Sequence, residues 1–97
     1  MPRRERTDLF AEILEVVKRY HGRGRITRVS YGVGMPVDRL RDALGQLSRL
    51  GLIHVMEDNG ATTYGITPRG QEFLDTYWKM RGFTQLFDSE PPSGRRV

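Results

Sequence analysis

The residues best suited to chemistry in this chain form a basic segment between residues 18 and 28. The segment carries five positive charges and no acidic residue, and its charged residues are Lys18, Arg19, Arg23, Arg25 and Arg28. Guanidinium groups match the geometry of phosphate oxygens, and glycines at positions 22 and 24 let the backbone approach a ligand closely. With Thr27 as a further hydrogen-bond donor, the segment predicts a phosphate-binding surface. The alternative is a solvated basic loop that only favours solubility.

A second set of polar side chains lies on a predicted amphipathic helix that follows Pro36 and ends at Gly51. One apolar stripe runs along this helix and comprises Val37, Leu40, Ala43, Leu44, Leu47 and Leu50. The side chains that could contact base edges lie outside the stripe: Arg39, Arg41, Asp42, Gln46 and Arg49. Arginine suits guanine, glutamine suits adenine, and aspartate can accept from cytosine. The alternative is a solvated face on which Asp38 pairs with Arg41.

The sequence offers no catalytic or metal-binding set of residues. The chain has two histidines, His21 and His54, which lie far apart in sequence, and it has no cysteine. Zinc and thiolate sites therefore lack their usual ligands, and the glycines do not have the spacing of a nucleotide-phosphate loop. We expect no enzymatic activity, no cofactor and no metal.

The segments that must position the basic groups have helical periodicity. Apolar residues recur at three- and four-residue spacing over residues 8–20, which predicts a first helix. A short second helix is expected over residues 26–33, closed by Gly32 and Gly34. Together with the helix after Pro36, these segments predict three consecutive helices.

A hairpin and a last helix are expected to follow. Strand-like runs at residues 52–56 and 62–66 flank a turn at 57–60 that contains Asn-Gly, a strong hairpin signal. Thr67 is then placed to cap a last helix with Pro68 in its first turn. The order α-α-α-β-β-α, mostly α with a small β-hairpin (an α+β class), is that of a winged helix-turn-helix.

Length and composition favour one globular domain. The chain has 97 residues, 37% of them hydrophobic and 29% charged, with a net charge of +4. We expect a flexible basic N-terminus at residues 1–6, a winged helix domain with a C-terminal dimerisation helix at 7–87, and a disordered tail at 88–97. Because there is no long apolar run or signal-like N-terminus, we expect a cytoplasmic, nucleoid-associated protein that does not bind membranes.

Three motifs carry a resemblance to a known family. They are Thr27-Arg28-Val29, Gly51-Leu52-Ile53, and Thr67-Pro68-Arg69-Gly70 followed by Phe73-Leu74. Over about residues 8–80 the chain resembles the Sso10a-like family of archaeal winged helix-turn-helix DNA-binding proteins. The resemblance implies a DNA-binding homodimer in which the long last helix pairs antiparallel with that of the partner. The chain departs from the family at Gly34-Met35-Pro36, where a hydroxyl residue usually caps the third helix.

The last helix has a pattern that bears on self-association. Positions 73, 77, 80, 84 and 87 follow the 4-3-4-3 spacing of a coiled-coil seam. The predicted dimer interface comprises Phe73, Tyr77, Trp78, Met80, Phe83 and Phe87. The alternative is that Phe73, Leu74 and Tyr77 pack on the first helix. Gly82 argues against a long uninterrupted coiled coil, because glycine costs about 1 kcal/mol in a helix interior.

These features together predict binding of double-stranded DNA by a homodimer, with a role in transcriptional regulation or chromatin organisation. Arg69, at the base of the last helix, is expected to add a phosphate contact. Glu57 and Asp58 in the predicted turn make the wing tip acidic, so we expect little DNA contact there. The acidic tip also keeps open an alternative, a winged-helix protein-protein interaction module that does not bind DNA.

Overall fold

The computed structural model describes residues 6–89, with side-chain burial described as far as residue 83. The elements are α1 (Arg6–Arg19), α2 (Ile26–Val33), α3 (Val37–Arg49), β1 (Ile53–Asp58), β2 (Ala61–Ile66) and α4 (Pro68–Ser89). The predicted order of helices and strands is confirmed. The predicted flexible N-terminus, except for residue 6, and the predicted tail from residue 90 onward lie outside the described residues.

The hydrophobic core lies between α1, the α2-α3 pair, the base of the hairpin and the first turns of α4. Helix α1 is central, because six of its residues are buried. The core residues are Phe10, Ala11, Ile13, Leu14, Val16, Val17, Val29, Met35, Leu40, Ala43, Leu44, Leu47, Leu52, Ile53 and Leu74. Since both α2 and α3 contribute to this core, their outer faces are held in a fixed relative position.

Glycines end α2 and α3, as the sequence predicts, but Gly32 does not act as a stop. Gly34 (φ 79°) follows Val33 and ends α2, and Gly51 (φ 77°) follows the last turn of α3. Gly32 lies inside α2 instead, where an added Cβ would come within 2.8 Å of Val16 Cγ1. Its role is therefore close packing of α2 on α1.

The hairpin is longer at its tip than the sequence predicts. Asn59 (φ 54°) and Gly60 (φ 81°) both adopt the left-handed conformation of a two-residue type I′ turn. Because two residues suffice for this turn, Glu57 and Asp58 remain paired in β1, opposite Thr62 and Ala61 of β2. The predicted four-residue turn was wrong at these two positions.

The start of α4 is fixed by the sequence Thr67-Pro68-Arg69-Gly70. The Thr67 hydroxyl accepts from the Gly70 N–H (3.0 Å) and donates to the Gly51 carbonyl (2.6 Å). The Thr67 N–H donates to the Leu52 carbonyl (3.1 Å), which anchors the helix to the base of β1. The predicted threonine cap is confirmed, and it also ties α4 to the turn after α3.

Helix α4 continues through Gly82 to Ser89, so this glycine does not interrupt it. The helix also includes residues 88 and 89, the first two positions of the predicted tail. Its first half packs on α1, and the Tyr77 hydroxyl donates to Asp8 (2.5 Å) while the Trp78 indole N–H donates to Glu15 (2.7 Å). No helix within residues 6–89 is long and apolar enough to cross a membrane.

Candidate nucleic-acid interface

The basic segment folds into a turn that is anchored to the hairpin. After α1 the chain reverses through His21 (φ 53°) and Gly22 (φ 80°), and the Arg23 N–H donates to the Tyr20 carbonyl (3.0 Å). Gly24 then pairs with Tyr64 of β2, whose N–H donates to the Gly24 carbonyl (3.1 Å). These backbone bonds hold the start of α2 in place, so its charged side chains project from an ordered turn.

The first turn of α2 has the features of an anion-binding helix start. Arg25 occupies the N-cap position in an extended conformation (φ −85°, ψ 165°) and makes no side-chain cap hydrogen bond. The first helical bond is donated by the Val29 N–H to the Arg25 carbonyl, so the amides of residues 26–28 have no intrahelical acceptor. No acidic residue lies in this turn. Unpaired amides and the helix dipole both favour an anion here.

Four of the predicted phosphate-binding residues surround this helix start. Arg23, Arg25, Thr27 and Arg28 are all exposed to solvent. Lys18, in the last turn of α1, is exposed as well. The structure therefore concentrates positive charge where the backbone amides of α2 are open.

Two other predicted phosphate contacts lie elsewhere. Arg19 lines a cavity of about 350 Å³ between α1, α2 and α4, together with Trp78 and Arg81. Arg69 lies at the open end of the hairpin, where its Cδ would be 3.6 Å from a Cβ added at Gly51. Neither residue belongs to the group at the start of α2, and their roles stay predictions.

The predicted base-contacting residues of α3 are accessible to different degrees. Arg39, Arg41, Asp42 and Arg49 are exposed, whereas Gln46 is half-buried. The residues at the α1 side of this face line a groove of about 230 Å³ and include Arg6, Leu9, Arg39, Asp42 and Gln46. Base-edge contact thus remains a prediction for all five, with Arg41 and Arg49 lying outside the groove.

The tip of the wing is acidic, as the sequence indicates. The Glu57 carboxylate accepts a hydrogen bond from the Thr62 hydroxyl (3.1 Å), and Asp58 is exposed beside the turn. Negative charge at this position opposes contact with phosphate. The positive charge of the candidate interface therefore lies at α2 and not at the wing.

Tyr31 is a candidate DNA-contacting residue that the sequence analysis did not select. Its side chain is 91% exposed, the most exposed large hydrophobic residue described. It follows Thr27 by four residues and Arg28 by three, so all three side chains share the outer face of α2. The helical spacing from the basic residues was the signal that could have identified it.

The predicted dimer residues divide into two groups. Phe73 and Tyr77 are partly buried against the core, and burial together with the hydrogen bond to Asp8 raises the pKa of the Tyr77 phenol. Further along α4, Trp78 is 50% exposed, and Met80 and Phe83 are both 62% exposed. The side chain of Phe87 lies beyond the part of α4 whose burial is described. The exposed apolar surface therefore begins at Trp78.

The described residues contain no candidate metal centre. Within residues 6–89, no three or more histidine or acidic side chains come close enough together to hold a metal ion. The candidate interface consists instead of cationic side chains, hydroxyl groups and backbone amides. Such a surface can bind an anionic polymer without any covalent chemistry.

Comparison with solved structures supports the fold. Sso10a-2, a DNA-binding protein from Sulfolobus solfataricus, has a TM-score of 0.73 and 23% identity, covering 97% of this chain and 99% of that chain. A MarR-family transcriptional regulator from Silicibacter pomeroyi has a TM-score of 0.69 and 22% identity, and the match covers 91% of this chain and 62% of that chain. FabT of Streptococcus pneumoniae, solved in complex with DNA, has a TM-score of 0.66 and 12% identity, and the match covers 88% of this chain and 62% of that chain. The chain thus spans less than two thirds of the latter two proteins.

Comparison of the sequence identifies the family. No curated protein matches the chain in sequence. A family model described as winged helix-turn-helix matches residues 3–85. The resemblance to Sso10a-like proteins that the motifs indicated is confirmed by this match and by the fold of Sso10a-2. The chain belongs to the winged helix-turn-helix family.

Proposed function

We propose that this protein binds double-stranded DNA as a homodimer and acts in transcriptional regulation or chromatin organisation. The observation that carries the proposal is the start of α2, where open backbone amides lie among exposed Arg23, Arg25 and Arg28. Each of these groups favours a phosphate, and together they match a polyanion better than a single small anion. Sso10a-2 is a DNA-binding protein and FabT was solved with DNA, which agrees with this assignment.

The arrangement of α2 and α3 suggests how the duplex is held. In a helix-turn-helix the first helix contacts the phosphate backbone while the second enters the major groove. By this geometry α2 would fix the position of the protein on the duplex, and α3 would present Arg41 and Arg49 to base edges. Arg39, Asp42 and Gln46, which line the neighbouring groove, would lie at the border of the contact.

The second half of α4 is the proposed dimer interface. Trp78, Met80 and Phe83 leave apolar area exposed on a helix that has 22 residues, about 33 Å in length. Packing against the same helix of a second copy would remove this area from water. Phe73 and Tyr77 already pack on their own core, so their part in the interface would be smaller.

The second candidate function, a protein-protein interaction module, is favoured by the hairpin. Val55 is 50% exposed on β1 and shares one face of the strand with Glu57, while Met56 and Asp58 are exposed on the opposite face. An acidic and apolar surface suits a basic protein partner better than DNA. The two functions predict opposite results in one experiment.

The test is an electrophoretic shift of random-sequence duplex DNA at low salt. The wild type is expected to bind, and Arg25→Gln is expected to bind more weakly. Lys79→Gln provides the matched control, because it removes one charge from an exposed position on α4 instead of α2. A wild type that fails to shift the duplex would refute the proposed function and favour the interaction module. A wild type that binds but loses the same affinity in both variants would refute the placement of the DNA-binding surface at the start of α2.

A further inference from the structure

The Tyr20 side chain packs against α2 and lies close to two glycines, Gly24 before the helix and Gly32 near its end. An added Cβ at Gly24 would lie 3.1 Å from the Cβ and Cδ2 atoms of Tyr20. An added Cβ at Gly32 would lie 3.8 Å from the Tyr20 hydroxyl. Arg28 and Gly32 are four residues apart on α2 and so lie on one face of the helix, and Gly24 lies just before the helix. The Tyr20 side chain therefore reaches from Gly24 along the face of α2 that carries Arg28.

The Arg28 guanidinium lies over this ring. Its guanidinium carbon lies 5.6 Å from the centroid of the Tyr20 ring, within the range of a cation-π contact. A guanidinium that lies over an aromatic ring can still donate hydrogen bonds to a ligand, because the cation-π contact does not use its N–H groups as hydrogen-bond donors. Arg28 is also exposed to solvent, so these donors can reach a ligand at the open amides of α2.

We propose that Tyr20 is a positioning residue that holds the Arg28 guanidinium in place for a DNA phosphate at the start of α2. The inference rests on the proposed DNA-binding function. A free arginine loses side-chain freedom when it binds, and a contact that orders it beforehand reduces that loss. The Tyr20 hydroxyl is directed along α2 to Gly32, away from the helix start, so the ring and not the hydroxyl carries this role.

The inference predicts coupling between Tyr20 and Arg28 in DNA affinity. Four proteins are compared by fluorescence anisotropy on one duplex at one salt concentration: wild type, Tyr20→Leu, Arg28→Gln and the double variant. Tyr20→Leu is expected to weaken binding by about two- to fivefold when Arg28 is present, the range of an exposed cation-π contact. In the Arg28→Gln background it is expected to cause no further loss.

A conservative variant separates positioning from direct contact. Tyr20→Phe retains the ring and removes only the hydroxyl, so its affinity is expected to equal that of the wild type. Circular dichroism shows whether each variant is folded at the assay temperature. Should Tyr20→Leu fail to fold, Tyr20→Phe and Arg28→Lys still test the proposal, since Arg28→Lys keeps the charge but loses the planar guanidinium that lies over the ring. Arg28→Lys is expected to weaken binding by a similar factor.

The outcomes distinguish this inference from the proposed function. A wild type that does not bind duplex DNA would overturn the proposed function and the inference with it. A wild type that binds, but loses the same factor from Tyr20→Leu in both backgrounds, would overturn the inference alone. A loss in Tyr20→Phe as large as that in Tyr20→Leu, or unchanged affinity in Arg28→Lys, would overturn it as well.

Discussion

Replacement of Gly70 by alanine is expected to destabilise the protein, although alanine favours helices over glycine. Gly70 is buried in the first turn of α4, and an added Cβ would lie 2.1 Å from the Leu52 carbonyl oxygen and 2.8 Å from Ile66 Cγ1. Carbon and oxygen atoms in contact are normally separated by about 3.3 Å or more. The start of α4 would therefore have to move away from β1 by about 1 Å.

The size of the effect follows from two opposing contributions. Overpacking in a well-packed site costs about 1–3 kcal/mol. The upper end applies here, because the obstacle is a backbone carbonyl that accepts the Thr67 N–H at 3.1 Å and cannot turn aside without losing this bond. The helix propensity of alanine offsets about 1 kcal/mol. The expected net loss is about 2 kcal/mol, which changes the folding equilibrium roughly thirtyfold.

Urea unfolding followed by circular dichroism measures this loss, and Gly82→Ala provides the matched control. Gly82 lies in the same helix, but an added Cβ there meets nothing within 4 Å. Gly82→Ala is therefore expected to gain up to about 1 kcal/mol. Replacement of glycine by alanine is thus expected to lower the free energy of unfolding at position 70 and to raise it at position 82. Equal or greater stability of Gly70→Ala relative to the wild type would refute the close approach of α4 to β1.

Three further predictions concern α4. The free energy of unfolding is expected to decrease more steeply with pH above about 10 in the wild type than in Tyr77→Phe. The folded-state pKa of Tyr77 is raised above 10.0 by burial and by its hydrogen bond to Asp8, so this stabilisation is present at lower pH and lost as pH rises through the raised pKa. A pH series of urea titrations tests this, and identical curves would contradict it. Thr67→Ala is expected to cost about 1–2 kcal/mol because it removes the cap to Gly70, whereas Thr67→Ser, which keeps the hydroxyl, should retain most of the stability in a thermal melt. Phe83→Ser is expected to weaken self-association, measured by sedimentation equilibrium, and an unchanged association constant would exclude Phe83 from the interface.

The elements with local signals were the ones that could be predicted from the sequence. The bounds of α2 and the cap of α4 depend on residues within one or two turns, such as Gly34 and Thr67, and the structure confirms them. The Asn59-Gly60 turn is equally local, but the pairing of Glu57 depends on its neighbour Thr62 across the hairpin. Its place in β1 was therefore missed.

The arrangement of the candidate interface depends on contacts between distant segments. Gly32 looked like a helix stop, because nothing near it in sequence shows that Val16 packs against it. The separation of Arg69 from the start of α2 also follows from the fold and not from a motif. The charge of the basic segment was evident from the sequence, whereas the cation-π contact of Arg28 with Tyr20 was not.

The salt dependence of DNA affinity tests the central claim most directly. Each phosphate contact contributes about −0.9 to the slope of log affinity against log salt, so four contacts by Lys18, Arg23, Arg25 and Arg28 predict about −3.6 per subunit. The double variant Arg25→Gln/Arg28→Gln is expected to reduce the steepness by about 1.8 per subunit. Absence of binding at low salt, or an equal slope in wild type and double variant, would contradict a DNA-binding surface at the start of α2.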